Sequence, residues 1–109
     1  MQLNRGDIVL CSMSNDFGKV RPAVVVQNSD FNLARNSVTV CPPTTELIPD
    51  AQFRTTIYPS ESTGLEFPSQ VMVDKICSVK KSRIKSIVGR LDSETVAQLD
   101  DHLKLWLGL

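Results

Sequence analysis

The sequence predicts a mainly β fold: six or so short strands in a small β-barrel, closed by one C-terminal helix. Three observations carry this. Short apolar runs rich in Val and Ile alternate with turn residues from residue 6 to residue 91. Only after that does the apolar pattern change to the helical period of ~3.6 residues. Finally, 109 residues can bury one core without staples, so residues 1–109 read as a single domain with no internal boundary.

The first strand spans residues 6–12, around Ile8, Val9, Leu10 and Cys11. A polar stretch, residues 13–19, separates it from a second strand at 21–27. There the unbroken Ala23-Val24-Val25-Val26 suits a strand buried on both faces. Residues 29–36 are polar and mixed, with room for one helical turn. Ser37–Cys41 alternates with period two and stops at Pro42-Pro43, because proline removes ladder donors. After Thr44-Thr45-Glu46 and a proline-containing loop, strands are expected at 53–58, 70–79 and 84–91. In the tail, Val96, Leu99, Leu103, Trp106 and Leu107 share one arc of a helix. Asp92 or Ser93 caps its start, Glu94 complements its dipole and Gly108 stops it. Trp106 reads as core packing on that arc, and Leu105 faces away from it as a candidate partner contact.

Composition excludes several classes. Hydrophobic residues make up 41% and charged residues 22%, which argues against disorder. Twelve Lys and Arg balance twelve Asp and Glu, so any nucleic-acid binding must use a local patch. No apolar run approaches the ~20 residues of a membrane span, and residues 1–5 begin no signal peptide, so a cytoplasmic protein with no membrane partner is expected. Three cysteines, Cys11, Cys41 and Cys77, lack metal-ligand spacing and do not pair into a framework, so no metal is expected. Cys11 and Cys41 sit in apolar runs and read as core filling, while Cys77 follows Lys75 and is at most weakly activated. The single histidine, His102, reads as structural or solvated.

What remains is basic and polar. Lys75, Lys80, Lys81, Arg83, Lys85 and Arg90 place six of twelve positive charges in sixteen residues that hold no acid. That run fits a solvated face or a phosphate-contacting strip equally well. In Gly18-Lys19-Val20-Arg21-Pro22, proline biases Arg21 toward an extended backbone at the mouth of an apolar strand. A guanidinium there either solvates the strand end or offers a fork to phosphate oxygens. Thr44 and Thr45 are hydroxyls at a strand exit, compatible with a phosphate or with an ordinary turn. Asp74 either faces solvent beside Lys75 or serves as a base. Phe17 either packs on the barrel or stacks on a nucleobase.

Together these segments resemble the MazF/PemK family of toxin ribonucleases. The resemblance rests on Arg5-Gly6-Asp7-Ile8-Val9, on Gly18 through Gln27 with its Arg-Pro and valine run, and on Ser37 through Thr45. It continues through Gln70-Val71-Met72-Val73-Asp74-Lys75-Ile76 and Gly89-Arg90-Leu91 with the helix that follows. It implies an SH3-like barrel, a homodimer, and metal-independent, cofactor-free cleavage of single-stranded RNA by attack of the ribose 2′-hydroxyl. It also implies a cognate antitoxin as partner. By resemblance the catalytic residues are Arg21, Thr44 and Asp74, and RNA is bound by Phe17, Lys19, Thr45, Lys75, Ser78 and Lys80. One departure stands out: Cys77 and Ser78 occupy positions where many members carry Arg-Thr. The alternatives are a CcdB-like gyrase poison, which shares the barrel and a terminal helix with a tryptophan, and an inactive RNA- or antitoxin-binding module.

Overall fold

The computed structural model describes residues 1–12, 18–49 and 51–109. Eight strands precede one helix: β1 (Asp7–Ser12), β2 (Val20–Val25), β3 (Ser37–Cys41), β4 (Pro43–Thr44), β5 (Arg54–Ile57), β6 (Ser69–Met72), β7 (Cys77–Lys80), β8 (Ile84–Arg90) and α1 (Ser93–Leu107). All pairings are antiparallel. Five strands form one sheet in the order β7-β3-β2-β1-β8, and three form a second in the order β4-β6-β5.

The five-stranded sheet is strongly curled. Laid flat, its edges would lie ~19 Å apart at ~4.8 Å per strand. Yet β7 passes to β8 through one 3-10 turn, Lys81–Arg83, a path of only ~8 Å at ~2.0 Å per residue. The core agrees. Val9, Cys11, Ala23, Val25, Val38, Val40, Val79 and Ile84 come from this sheet and, with Leu3, form one buried cluster. No residue of the second sheet or of α1 is among this cluster. Its other face, with Ile8, Val24, Val26 and Cys41, packs on Ile57 and Val71 of the second sheet and on Leu99 and Leu103 of α1. The residues from Ala23 to Val26 therefore alternate between two cores, as the unbroken run predicts. Each of the three valines contributes about 1.5–3 kcal/mol of burial.

Two breaks shape the site. β3 ends before Pro42, and the chain resumes at Pro43 in the other sheet. The expected strand at 70–79 is two strands instead, separated by the 3-10 turn Val73–Lys75. Val73 is buried on both sides of that corner by the core, so an uninterrupted apolar pattern conceals a change of sheet. Residues 29–36 contain the expected turn at Ser29–Phe31.

The Arg5-Gly6-Asp7 segment is consumed by the fold. Arg5 Nε donates to the Val26 carbonyl (2.8 Å), and its Nη2 meets Asp100 Oδ1 at 2.7 Å. Gly6, at φ +92°, donates to the Val25 carbonyl and accepts from Leu91 N–H. Buried Asp7 accepts from Asn4 N–H (2.8 Å) and Arg90 Nε (3.1 Å), joining the start of β1 to the end of β8.

At α1, Asp92 caps Thr95 N–H at 2.7 Å and Gly108 closes the helix at φ +73°, both as expected. Trp106 differs from expectation. It is 49% exposed, and its ring leans on Phe53 at 5.3 Å, because the core ends at Leu103. Leu105 and Leu107 are exposed beside it. His102 is structural: its Nδ1 lies 2.6 Å from the hydroxyl of buried Thr55.

Candidate active site

The corner made by the start of β2, the β3–β4 break and the β6–β7 turn is a cleft of about 590 Å³. Arg21, Pro22, Thr44, Thr45, Lys75 and Cys77 line it, with Pro42, Pro43, Ser69 and Met72. Two cations and two threonine hydroxyls thus converge with no acid among the described residues of the wall, an arrangement suited to an anion.

Each of these side chains is placed by local chemistry. Arg21 pairs across from Cys11 at the exposed end of β2, before the proline that holds its backbone extended. Thr44 pairs across from Gln70 in β4. Its Oγ1 accepts from Glu46 N–H at 3.1 Å, which leaves the hydroxyl proton to donate into the cleft. The segment after it is clamped by Gln70, which sequence reasoning missed. Gln70 Oε1 accepts from Ile48 N–H (2.9 Å) and its Nε2 donates to the Ile48 carbonyl (3.0 Å). Buried Gln70 thereby imitates a strand partner for a loop that has none. Arg54 Nη1 adds a contact to the Glu46 carbonyl at 3.3 Å. Polar glutamines in apolar strands are common enough that no sequence signal marked this one.

Of the remaining residues singled out from sequence, Asp74 is half-buried in the Val73–Lys75 turn, outside the cleft wall. Its Oδ1 is buried with no hydrogen-bond partner among the described residues. Lys19 is exposed just before β2. Ser78 faces away from the cleft, since it alternates with Cys77 on β7 and pairs across from Thr39. Lys80 lies at the far end of β7, across from Ser37. Phe17 falls outside the described residues. The basic run is no continuous strip: Lys75 reaches the cleft, Lys80, Lys81 and Arg83 surround the β7–β8 joint, and Arg90 is tied to Asp7.

Cys77 lines the cleft, but burial raises its thiol pKa. It is therefore a neutral thiol near pH 7 and a poor nucleophile, contrary to the idea that Lys75 activates it. Burial first, with Cys77 and Asp74 adding and Arg5 opposing, pushes Cys41 up to about 12. Cys11 is also raised by burial. Among the described residues no three His, Cys, Asp or Glu side chains gather as a metal site, and no helix is long and apolar enough to cross a membrane.

Comparison with known proteins agrees with this architecture. A family model described as "PemK-like, MazF-like toxin of type II toxin-antitoxin system" matches residues 4–107. A probable endoribonuclease MazF of Mycolicibacterium smegmatis is 35% identical over 108 residues, 98% of either chain. The endoribonuclease MazF9 of Mycobacterium tuberculosis is 34% identical over 94 residues, covering 82% of this chain and 79% of that one. A mycobacterial endoribonuclease solved in complex with its cognate antitoxin superposes with a TM-score of 0.83 at 20% identity, over 98% of this chain and 96% of that one. That last likeness speaks to fold.

Proposed function

The chain belongs to the PemK-like, MazF-like toxin family of type II toxin–antitoxin systems and is an endoribonuclease of that kind, and from this premise we propose that it cuts single-stranded RNA without a metal ion, at the cleft between Arg21 and Thr44. The observation that carries this reading is the convergence of Arg21, Thr44, Thr45 and Lys75 in one wall with no acid among its described residues. We read residues 1–109 as one toxin domain, and the curled sheet with its companion as an SH3-like barrel. The reasons are the core enclosed by one sheet and the short β7–β8 joint.

In the reaction, a ribose 2′-oxygen attacks its own 3′-phosphorus. The phosphorus–5′-oxygen bond breaks, leaving a 2′,3′-cyclic phosphate and a 5′-hydroxyl. The nucleophile belongs to the substrate, which suits a cleft whose one thiol is held neutral. Arg21 places its charge where the phosphorane oxygens gain theirs, with Lys75 beside it. Thr44, its oxygen already engaged by Glu46 N–H, donates its proton to a phosphate oxygen and holds the in-line geometry. Lys19 and Thr45 guide the strand on either side. Asp74 precedes Lys75 of the cleft wall and is the proposed acceptor of the 2′ proton through its Oδ2, since its Oδ1 is buried. Because Ser78 and Lys80 face elsewhere, their phosphate contacts would lie beyond the cleft.

The proposed setting is the cytoplasm. The proposed partners are a second copy of this chain and a cognate antitoxin, the latter by analogy with the mycobacterial endoribonuclease solved with its antitoxin. The exposed Leu105, Trp106, Leu107 and Leu109 at the end of α1 offer apolar area for such contacts. Incubating the protein with a long single-stranded RNA in EDTA, beside Arg21→Ala, tests the reading. Discrete cuts with 5′-hydroxyl ends that vanish in the variant are expected. Cleavage that needs added metal, or that survives in Arg21→Ala, would overturn it, and RNA binding without cleavage would identify an inactive binding module.

A further inference from the structure

A second hollow, about 510 Å³, adjoins the cleft. The two share Arg21, Pro22, Thr45 and Ser69, so one wall serves both. Leu10, Val20, Leu65 and Val88 give the hollow an apolar floor, and Glu66 and Phe67 stand at its edge. Phe67 is 61% exposed, so its ring is open to a ligand.

The loop that presents Phe67 is rigid. Thr63 Oγ1 donates to the Tyr58 carbonyl (2.9 Å), and Gly64 N–H donates to the Ser60 carbonyl (3.0 Å). The Ser62 carbonyl accepts from Arg90 N–H of β8 at 2.7 Å. Ser69 Oγ donates to the carbonyl of Phe67 itself (3.1 Å), and Pro68 keeps Phe67 extended. An exposed ring on a fixed backbone, beside a phosphate-binding arginine, is arranged as a stacking platform.

We infer that this hollow seats one unpaired nucleobase of the RNA, beside the phosphate at Arg21, with Phe67 stacking on it and the Glu66 carboxylate reading its edge. The inference rests on the ribonuclease reading above. Glu66 is the one acid among the described residues of the wall, and a carboxylate only accepts. Guanine presents two adjacent N–H donors, from its ring nitrogen and its amino group, which match the two carboxylate oxygens. Uracil places carbonyl oxygens on both sides of its single N–H and is repelled. The base beside the cut is therefore guanine by preference, and uracil is the most strongly rejected.

The test maps cuts on a randomised single-stranded RNA with the parent protein, Phe67→Ala, Phe67→Trp and Glu66→Gln, each checked for an unchanged unfolding midpoint. Phe67→Ala should raise KM about 5- to 100-fold with a smaller effect on kcat, and Phe67→Trp should restore it. Glu66→Gln should erase the guanine preference at one position beside the cut. Parent values of KM and a parent cut profile in both Phe67→Ala and Glu66→Gln would overturn the inference. A binding arm separates this failure from failure of the ribonuclease reading. A 2′-deoxy, uracil-rich strand with one guanine, which cannot be cut, should bind the parent and be weakened by Phe67→Ala and by replacing guanine with hypoxanthine, which lacks the amino group. If the parent cuts no RNA yet shows this pattern, only the ribonuclease reading falls. If the strand binds parent and Phe67→Ala alike, or neither, the subsite falls.

Discussion

Replacing Gly89 by alanine tests whether the loop against β8 is as fixed as the hydrogen bonds imply. Gly89 lies in β8 beside Ile8. An added Cβ would sit 2.1 Å from the Thr63 carbonyl oxygen and 2.6 Å from that of Ser62. Both are backbone atoms, so no side chain can swing aside. Reaching an ordinary contact of 3.4 Å or more requires the loop to withdraw by over 1 Å. A withdrawal of that size stretches the Arg90 N–H to Ser62 carbonyl bond, now 2.7 Å, beyond useful range. Losing that bond costs about 1 kcal/mol, and forcing the packing about 1–3 kcal/mol more. The sum, about 2–4 kcal/mol, lowers the thermal midpoint by roughly 8–25 °C at this chain length. Gly18→Ala is the control: at φ +76° it strains the backbone, but nothing lies within 4 Å of its Cβ, so a smaller loss is expected. Thermal and urea unfolding of the two variants decide the matter. A Gly89→Ala midpoint within about 2 °C of the parent would refute the reasoning.

Four further outcomes are expected. Thr44→Val should lower kcat by on the order of 10²-fold while RNA affinity changes little; equal losses in both would remove the positioning role. Asp74→Asn should flatten the acidic limb of the pH–rate profile, and an unaltered profile would exclude it as the base. Gln70→Ala frees the loop at Ile48, which has two hydrogen bonds to lose. It should cost about 1–3 kcal/mol of stability and raise KM, whereas a parent-like KM would show that the clamp does not set the cleft. Cys41 is held protonated in the folded chain up to about 12, against an ordinary 9.0, so the unfolded chain loses that proton first. Its contribution to stability is complete below 9.0 and is lost as pH rises toward 12. Urea midpoints on either side of 9.0 should fall less steeply in Cys41→Ala than in the parent, and equal slopes would contradict this.

Much of the fold was legible because local chemistry and tertiary packing agree. The run from Ala23 to Val26 announced a doubly buried strand, Pro42 announced the end of β3, and Asp92 and Gly108 announced the ends of α1. Legibility failed where one apolar pattern served two elements. Residues 70–79 look continuous because Val71, Val73 and Val79 are all buried, although the chain turns a corner between them. The basic run stayed undecided for a related reason: sequence proximity cannot show that β7 and β8 are opposite edges of one sheet. In the site, Arg21, Thr44, Thr45 and Lys75 came together from segments already marked by Arg-Pro, Pro-Thr-Thr and Asp-Lys. Gln70 and Phe67 carried no motif, because their importance comes from what the fold brings beside them.

The neighbour of β1 at the sheet edge is β8, and Asp7 finds its partner 83 positions later, at Arg90. A growing polypeptide on the ribosome therefore exposes β1 and β2 long before the strand that flanks β1 has been translated. Pairings so distant in sequence make assembly slow relative to helical proteins of similar length. The cleft takes Arg21 from β2 and Cys77 from β7, so it too is incomplete in any chain that ends before β7. The proposed RNA-cutting cleft therefore completes its wall only after β7 has been translated.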